Sequence, residues 1–389
     1  MKKTVYLDNA STTPVAKEVA KAMQPYLSEH FGNPSSLHAE GFFASKTVEK
    51  SRKIIAEILK TQPDTVYFTS GGTEANNLAV FGLSEGFKGK HIISVATEHA
   101  SVLEPLKKLE KNGYKVSYVP VGKDGLIKVD DLIKLINKET VLISVMYANN
   151  EIGIVQPIAD IGRAILRYRK ENNANFPYLH SDACQASEYL SLDVEKLHVD
   201  LMTINSGKIY GPKGVGALYV RRGVELSSQI LGGGQEKGLR SGTENVTGIV
   251  GFSKALEISS KNINKETVRL NKLSKYFFDK IVKLFSDAKL NGPEIGQNRL
   301  ANNVNVVFPG YDGEQLVIYL DSFGVQCSTA SACSAVTNEP SHVLKAIGLS
   351  EKDNKSSVRF SLGRSTSKKD LDYTISCLKS IRDQKYGKN

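Results

Sequence analysis

Alternation constrains what this chain can fold into more than any other feature. Short runs rich in β-branched and aromatic residues take turns with longer stretches whose apolar residues recur at helical spacing. Val66-Tyr67-Phe68-Thr69, His91 to Val95, Lys115 to Val119, Val141 to Met146, Tyr178-Leu179-His180 and Leu201 to Ile204 read as strands. Helical patterns follow from Glu74, up to about Lys111, from Val129 to Ile136 and from Ile158 to Tyr168. Strand–helix–strand units of this kind build a mainly parallel sheet with helices on both faces, so the fold class is α/β. Ligands collect beyond the carboxyl ends of such strands. The polar clusters fall there: Gly72-Thr73, His99, Asn150, Asp182 with Gln185, and Lys208.

The flanks are less regular. Val15 to His30 reads as a helix entered at Pro14, Phe31 to Ser36 as a turn-rich loop, and Ala39 to Leu59 as a second helix. The rhythm loosens after a long helix that begins near Asn245. With 389 residues the chain exceeds one ordinary core, which predicts two domains. The large α/β domain takes 15–262; residues 1–14 and 263–389 form a smaller α+β domain with a loop over 326–340.

Totals narrow the function classes. A net charge of +10 raises the question of nucleic acid, yet the basic clusters are short, acids are interspersed and Trp is absent. A solvated basic surface accounts for the charge, and no direct nucleic-acid binding is expected. No apolar run approaches the ~18 residues a membrane span needs, and Val5-Tyr6-Leu7 is too short for a signal peptide, so a cytoplasmic protein is expected. The four cysteines, Cys184, Cys327, Cys333 and Cys377, form no CxxC pair and no metal pattern.

Four segments carry chemistry. Val66–Thr69 runs through Ser70-Gly71-Gly72-Thr73 into a helix, which offers free N–H groups to a phosphate; an ordinary helix cap by Ser70 or Thr73 is the plain alternative. Lys208 lies in Asn205-Ser206-Gly207-Lys208-Ile209-Tyr210-Gly211-Pro212-Lys213-Gly214, where burial would make an amine nucleophilic and a surface loop would leave it solvated. Arg359 sits in a strand-like run, suited to an internal ion pair or to a substrate carboxylate. Residues 326–340 are small and polar, so Cys333 reads as an available thiol on an exposed, flexible loop. A phosphate cradle, a strand-end Asp182 and Lys208 make a coherent set for pyridoxal phosphate, with His99 either stacking on the ring, carrying protons or merely structural.

Beyond these segments, ordered motifs run the length of the chain. They include Tyr6 to Pro14, Phe31 to Ser36, Thr69 to Glu74, Asn149-Asn150-Glu151-Ile152-Gly153, Lys208 to Gly214, Arg240-Ser241-Gly242-Thr243, Ser331-Ala332-Cys333, Glu339-Pro340-Ser341 and Arg359 to Arg364. In these the chain resembles the cysteine desulfurases of the NifS/IscS type, class V of the fold-type-I pyridoxal phosphate enzymes. The resemblance implies a transferase fold with a seven-stranded sheet and a smaller α+β domain. It implies that Lys208 holds the cofactor, Asp182 pairs with the pyridine nitrogen, Gln185 meets the ring hydroxyl, His99 stacks on the ring, and Gly72 and Thr73 bind phosphate. Thr243 would reach the phosphate of a neighbouring subunit in a homodimer. Asn33, Asn150 and Arg359 would hold L-cysteine, and Cys333 would accept its sulfur for delivery to an iron–sulfur scaffold or a tRNA-thiolation protein. A relative acting on selenocysteine or another β-substituted amino acid, and a non-catalytic scaffold, are the alternatives.

Three departures stand out. The family's histidine before the cofactor lysine is Gly207 here, which leaves Ser206 or Asn205 to replace its phosphate contact. Cys184 stands where relatives carry threonine or another small residue, and it reads as structural along with Cys327 and Cys377. The chain ends at Asn389 without the longer tail that many relatives use to dock a scaffold, which leaves the acceptor open.

Overall fold

The computed structural model describes residues 4–86, 89–329 and 340–386. Thirteen strands are described: β1 (Val5–Tyr6), β2 (Val66–Thr69), β3 (His91–Val95), β4 (Lys115–Val119), β5 (Thr140–Ser144), β6 (Tyr178–Asp182), β7 (Leu201–Asn205), β8 (Gly216–Val220), β9 (Lys289–Leu290), β10 (Asn303–Val307), β11 (Val325–Gln326), β12 (Ser328–Thr329) and β13 (Ser357–Ser361). Seven of them form the large sheet in the order β2-β8-β7-β6-β5-β3-β4. Neighbours from β7 to β4 are parallel, as the βαβ rhythm predicts.

One strand breaks the pattern. β8, which the periodicity did not separate from the Lys208 segment, runs antiparallel to both β7 and β2. An antiparallel neighbour needs no crossover helix. The chain therefore leaves β7 through a short 3₁₀ turn, Ser206–Lys208, and re-enters the sheet at Gly216. That confines Lys208 to the carboxyl edge. The turn is held from outside: Thr13 Oγ1 accepts the Tyr210 N–H at 2.8 Å, and the Arg364 guanidinium lies 4.2 Å from the centre of the Tyr210 ring. These contacts hold Tyr210 at φ 63°, a left-handed conformation unusual for a non-glycine residue.

Two smaller sheets complete the described strands. β1 pairs in parallel with β11, and β12-β13-β10-β9 form an antiparallel sheet. The helix Val246–Leu284 runs without interruption across the 262/263 boundary proposed from sequence. A single cluster of buried side chains extends from Val5 through Phe68, Ile143 and Phe252 to Phe360 and Ile381. The two parts thus share one apolar core. Nearer the N-terminus the predicted helix Val15 to His30 divides into Lys17–Met23 and Pro25–Ser28, because Pro25 has no N–H with which to continue the ladder.

Candidate active site

At the carboxyl edge of the large sheet lies a cavity of about 280 Å³. Gly72, Thr73, His99, Asn150, Asp182 and Gln185 line it, and so do Asn205, Lys208 and Arg359. Five loops that the alternation pattern placed at this edge therefore meet in one cavity, and Arg359 of β13 joins them from the smaller sheet.

Asp182 ends β6 and is 5% exposed. Its Oδ2 accepts from Asn76 Nδ2 at 2.7 Å and its Oδ1 from the Cys184 N–H at 2.9 Å. His99 precedes helix Ala100–Lys111, and its Nδ1 accepts the Ser101 N–H at 3.1 Å. Burial, with Lys208 and His342 adding to it and Asp182 opposing, holds the imidazole below the usual histidine range. Gln185 Nε2 donates to the Ala10 carbonyl at 2.8 Å. Lys208, half-buried, donates through Nζ to the Ser11 carbonyl.

The ion-pair reading of Arg359 holds in this structure, and the side chain also lines the cavity. Its guanidinium is 1% exposed and pairs with Asp8, Nη2 to Oδ1 at 2.9 Å, while Nη2 also donates to Ser11 Oγ at 2.7 Å and Nη1 to the Asn150 carbonyl at 3.1 Å. The Nε–H is buried with no partner among the described residues. A buried donor left unpaired is costly, by about 1–3 kcal/mol, and suits a site that a substrate carboxylate completes.

Gly72 opens helix Gly72–Gly86, so its flank presents free N–H groups. A Cβ at position 72 would lie 2.7 Å from Cys184 Sγ. The glycine is required by that close approach, and Cys184, expected to be merely structural, lines the cavity beneath it. Burial and Asp182 push the Cys184 thiol far up, so it stays protonated. A second hollow adjoins the first along Ser70 to Glu74 and shares Lys208 and Asn205 with it. Lys213 also lines this hollow, and its Nζ donates to the Thr13 carbonyl at 2.7 Å.

Several expected residues lie elsewhere. Ser206 is a correction: its side chain is fully buried, and a Cβ on Gly211 would meet its Oγ at 2.1 Å, so the hydroxyl faces that backbone and not the cavity. Asn205 does line both hollows, but its Oδ1 is occupied by the Gly207 N–H at 3.0 Å. Thr243 and Asn33 are exposed and outside the cavity lining of their own chain. Cys333 lies outside the described residues. Conversely, the sequence reading passed over Asn76, Glu98, Glu151, Ser101 and His342, all of which line the cavity. Glu98 and Glu151 each neighbour a residue that was singled out, and that adjacency was the available signal. Burial raises the Glu98 carboxyl well above its ordinary range, and its Oε1 accepts the Met146 N–H at 2.5 Å. Among the described residues no group of His, Cys, Asp and Glu is arranged to hold a metal, and no helix is long and apolar enough to cross a membrane.

A carboxylate at the end of one strand, a lysine at the end of the next and the start of a helix beside them thus face one cavity. The chain belongs to the aminotransferase class-V family, whose pattern matches residues 5–374. Over 383 residues it is 46% identical to the cysteine desulfurase IscS of Dictyoglomus turgidum, spanning 98% of this chain and 95% of that protein. A NifS-like protein of known structure superposes with a TM-score of 0.91 at 36% identity, covering 98% of this chain and all of the other. The structure of SspA in complex with cysteine superposes with a TM-score of 0.79 at 36% identity, covering 92% of this chain and 99% of that one.

Proposed function

We propose that this chain is a pyridoxal-phosphate-dependent cysteine desulfurase that converts L-cysteine to L-alanine and passes the sulfur to Cys333. The carrying observation is the convergence of Lys208, Asp182 and Arg359 on one cavity. The residues fit the cofactor: a buried carboxylate stands ready for a pyridinium nitrogen, Gly72 and Thr73 open a helix toward the phosphate, and Lys208 is the amine within the same cavity. Bound there, the cofactor would supply an electron sink for the substrate's α-carbon.

The chain's own groups do the rest. Arg359, fixed by Asp8 and Ser11, receives the substrate carboxylate on its unpaired Nε–H. Lys208 would hold the cofactor, and its amine, once free, would take the α-proton and later return one to the product carbon. The Cys333 thiolate then forms an S–S bond with the substrate sulfur while the C–S bond breaks, and its electron pair stays with the alanine skeleton. A thiol of pKa about 8.5 is only a few per cent thiolate at pH 7, so this step gains from a nearby base.

A homodimer belongs to the same reading. Leu27, Phe31, Leu37 and Phe42 are exposed at 70%, 77%, 103% and 62%, and Phe43 beside them stacks on Tyr26 and lies tilted against His30. An apolar patch of this kind supports a subunit contact, across which Thr243 would serve the partner's phosphate. The sulfur would pass on to an acceptor protein of iron–sulfur assembly or tRNA thiolation.

The test is incubation of the PLP-loaded protein with L-cysteine and a dithiol, measuring alanine and sulfide together. Equal yields are expected, with Cys333→Ser retaining the cofactor's absorbance and losing sulfide. Turnover of selenocysteine but not cysteine, or sulfide release by Cys333→Ser, would overturn the assignment.

A further inference from the structure

Behind His99 and Asp182 the structure holds a polar relay whose members sequence reasoning did not select. Asn76 is 1% exposed, and its amide nitrogen has two hydrogens. Both are used, one on Asp182 Oδ2 at 2.7 Å and one on Ser101 Oγ at 2.8 Å. An ionised carboxylate takes only donors, so Asp182 fixes which end of the amide faces it. The other end, Asn76 Oδ1, is buried with no partner among the described residues. That loss is accepted in exchange for two ordered donors.

Ser101 transmits the polarity. Its Oγ receives the Asn76 hydrogen, which directs its own single hydrogen to His99 Nδ1, 2.8 Å away. The Ser101 backbone N–H donates to the same Nδ1 at 3.1 Å. Two donors converge on one ring nitrogen, so Nδ1 must present its lone pair and the ring proton sits on Nε2, at the opposite edge.

We propose that Asn76 and Ser101 are positioning residues that hold His99 as its Nε2–H tautomer and orient Asp182, so that the imidazole meets the cavity as a hydrogen-bond donor. The charged and titratable groups facing His99 are Asp182, Lys208 and His342; the last two, with burial, oppose its protonation and Asp182 alone favours it. Placing a proton on Nδ1 would set an N–H against the Ser101 N–H and undo the helix cap. His99 therefore cannot take a proton at Nε2 without first giving one up. The α-proton falls to Lys208, and His99 steadies an acceptor atom of the ring or the substrate.

The inference rests on the reading that His99 faces the cofactor, but its test does not use turnover. ¹⁵N-histidine NMR of the full chain as purified, with His99→Gln identifying the signal, reports which ring nitrogen carries hydrogen. Nδ1 is expected bare and Nε2 protonated at pH 7. In Asn76→Leu the His99 titration should move upward, since the Ser101 hydroxyl is freed to rotate and accept. Ser101→Ala serves as the second variant: the backbone donor keeps the Nε2–H tautomer, and the titration again moves upward. An Nδ1–H tautomer in the wild type, or titrations unmoved in both variants, overturns the proposal while leaving alanine and sulfide yields to judge the desulfurase reading on their own.

Discussion

Glu151 offers a quantitative handle on how the two parts of the chain are joined at the site. It follows Asn150 in the loop after β5 and is 3% exposed. Its Oε2 accepts from Ser341 Oγ at 2.5 Å, and that hydroxyl also caps helix His342–Ala346 by accepting the Leu344 N–H at 3.1 Å. Its backbone carbonyl accepts from Asn303 and Asn305 at 3.0 and 2.9 Å. Burial raises its carboxyl from an ordinary 4.5 to about 7, against the smaller pull of Ser341 and Arg359. The sign follows from proton counting. Between pH 4.5 and 7 the folded state holds a proton that the unfolded chain has released, so stability is fully present below 4.5 and falls as pH rises through 7. Linkage over these two values gives a loss of about 2.5 kcal/mol between pH 5 and pH 8. Glu151→Gln keeps a partner for Ser341 and removes the titration. Urea unfolding of both proteins at the two pH values is the assay, and the difference between them isolates Glu151, because His180, which burial pushes down to about 4, titrates alike in both. The glutamine variant should gain on the wild type by about 2.5 kcal/mol on going from pH 5 to pH 8. A difference that does not change with pH would refute the burial argument.

Two further outcomes are expected. Gly72→Ala should bind PLP more weakly, because its Cβ would come within 2.7 Å of Cys184 Sγ and displace the helix start, an overpacking worth about 1–3 kcal/mol. Adding Cys184→Ala should recover much of the affinity, read from the absorbance of the Lys208-linked cofactor, and normal PLP binding by Gly72→Ala alone would contradict the close approach. If Thr243 serves the partner's site, co-expressed dimers of Lys208→Ala and Thr243→Val chains should keep one fully competent site and bind about half the wild-type cofactor. Failure of the mixed dimer to load at all would place Thr243 in its own subunit's site.

How much of this was legible in the sequence depends on the direction in which each residue acts. Strand identity shows as a period of two and helix identity as a period near 3.6, so β2 through β7 and the loops at their carboxyl ends could be read locally, and with them Gly72, His99, Asp182 and Lys208. β8 escaped because its five residues follow a glycine-rich turn with no helix between, and only pairing with β2 and β7 makes them a strand. Asn76, Ser101 and His342 escaped because their contacts are made across 106, 25 and 244 residues of chain or end on another side chain, where no local period records them. Thr243 and Asn33 could be named only by resemblance, since neither lines the cavity of its own chain.

Gly207 is the most telling of these residues. A Cβ there would meet nothing closer than 3.7 Å, to Asn205 Oδ1 and Lys213 Cγ, and its φ is not left-handed. Packing therefore does not require glycine at this position, and the missing imidazole is not a steric necessity of this turn. The side chain that does face that gap is Lys213, whose stem comes within 3.7 Å and which lines the same hollow as Gly72 and Thr73. Ser206, the neighbour that sequence proximity favoured, turns the other way. Adjacency along the chain is a poor guide within a 3₁₀ turn, where successive side chains point about 120° apart and a residue six positions beyond Gly207 can stand closer to the site.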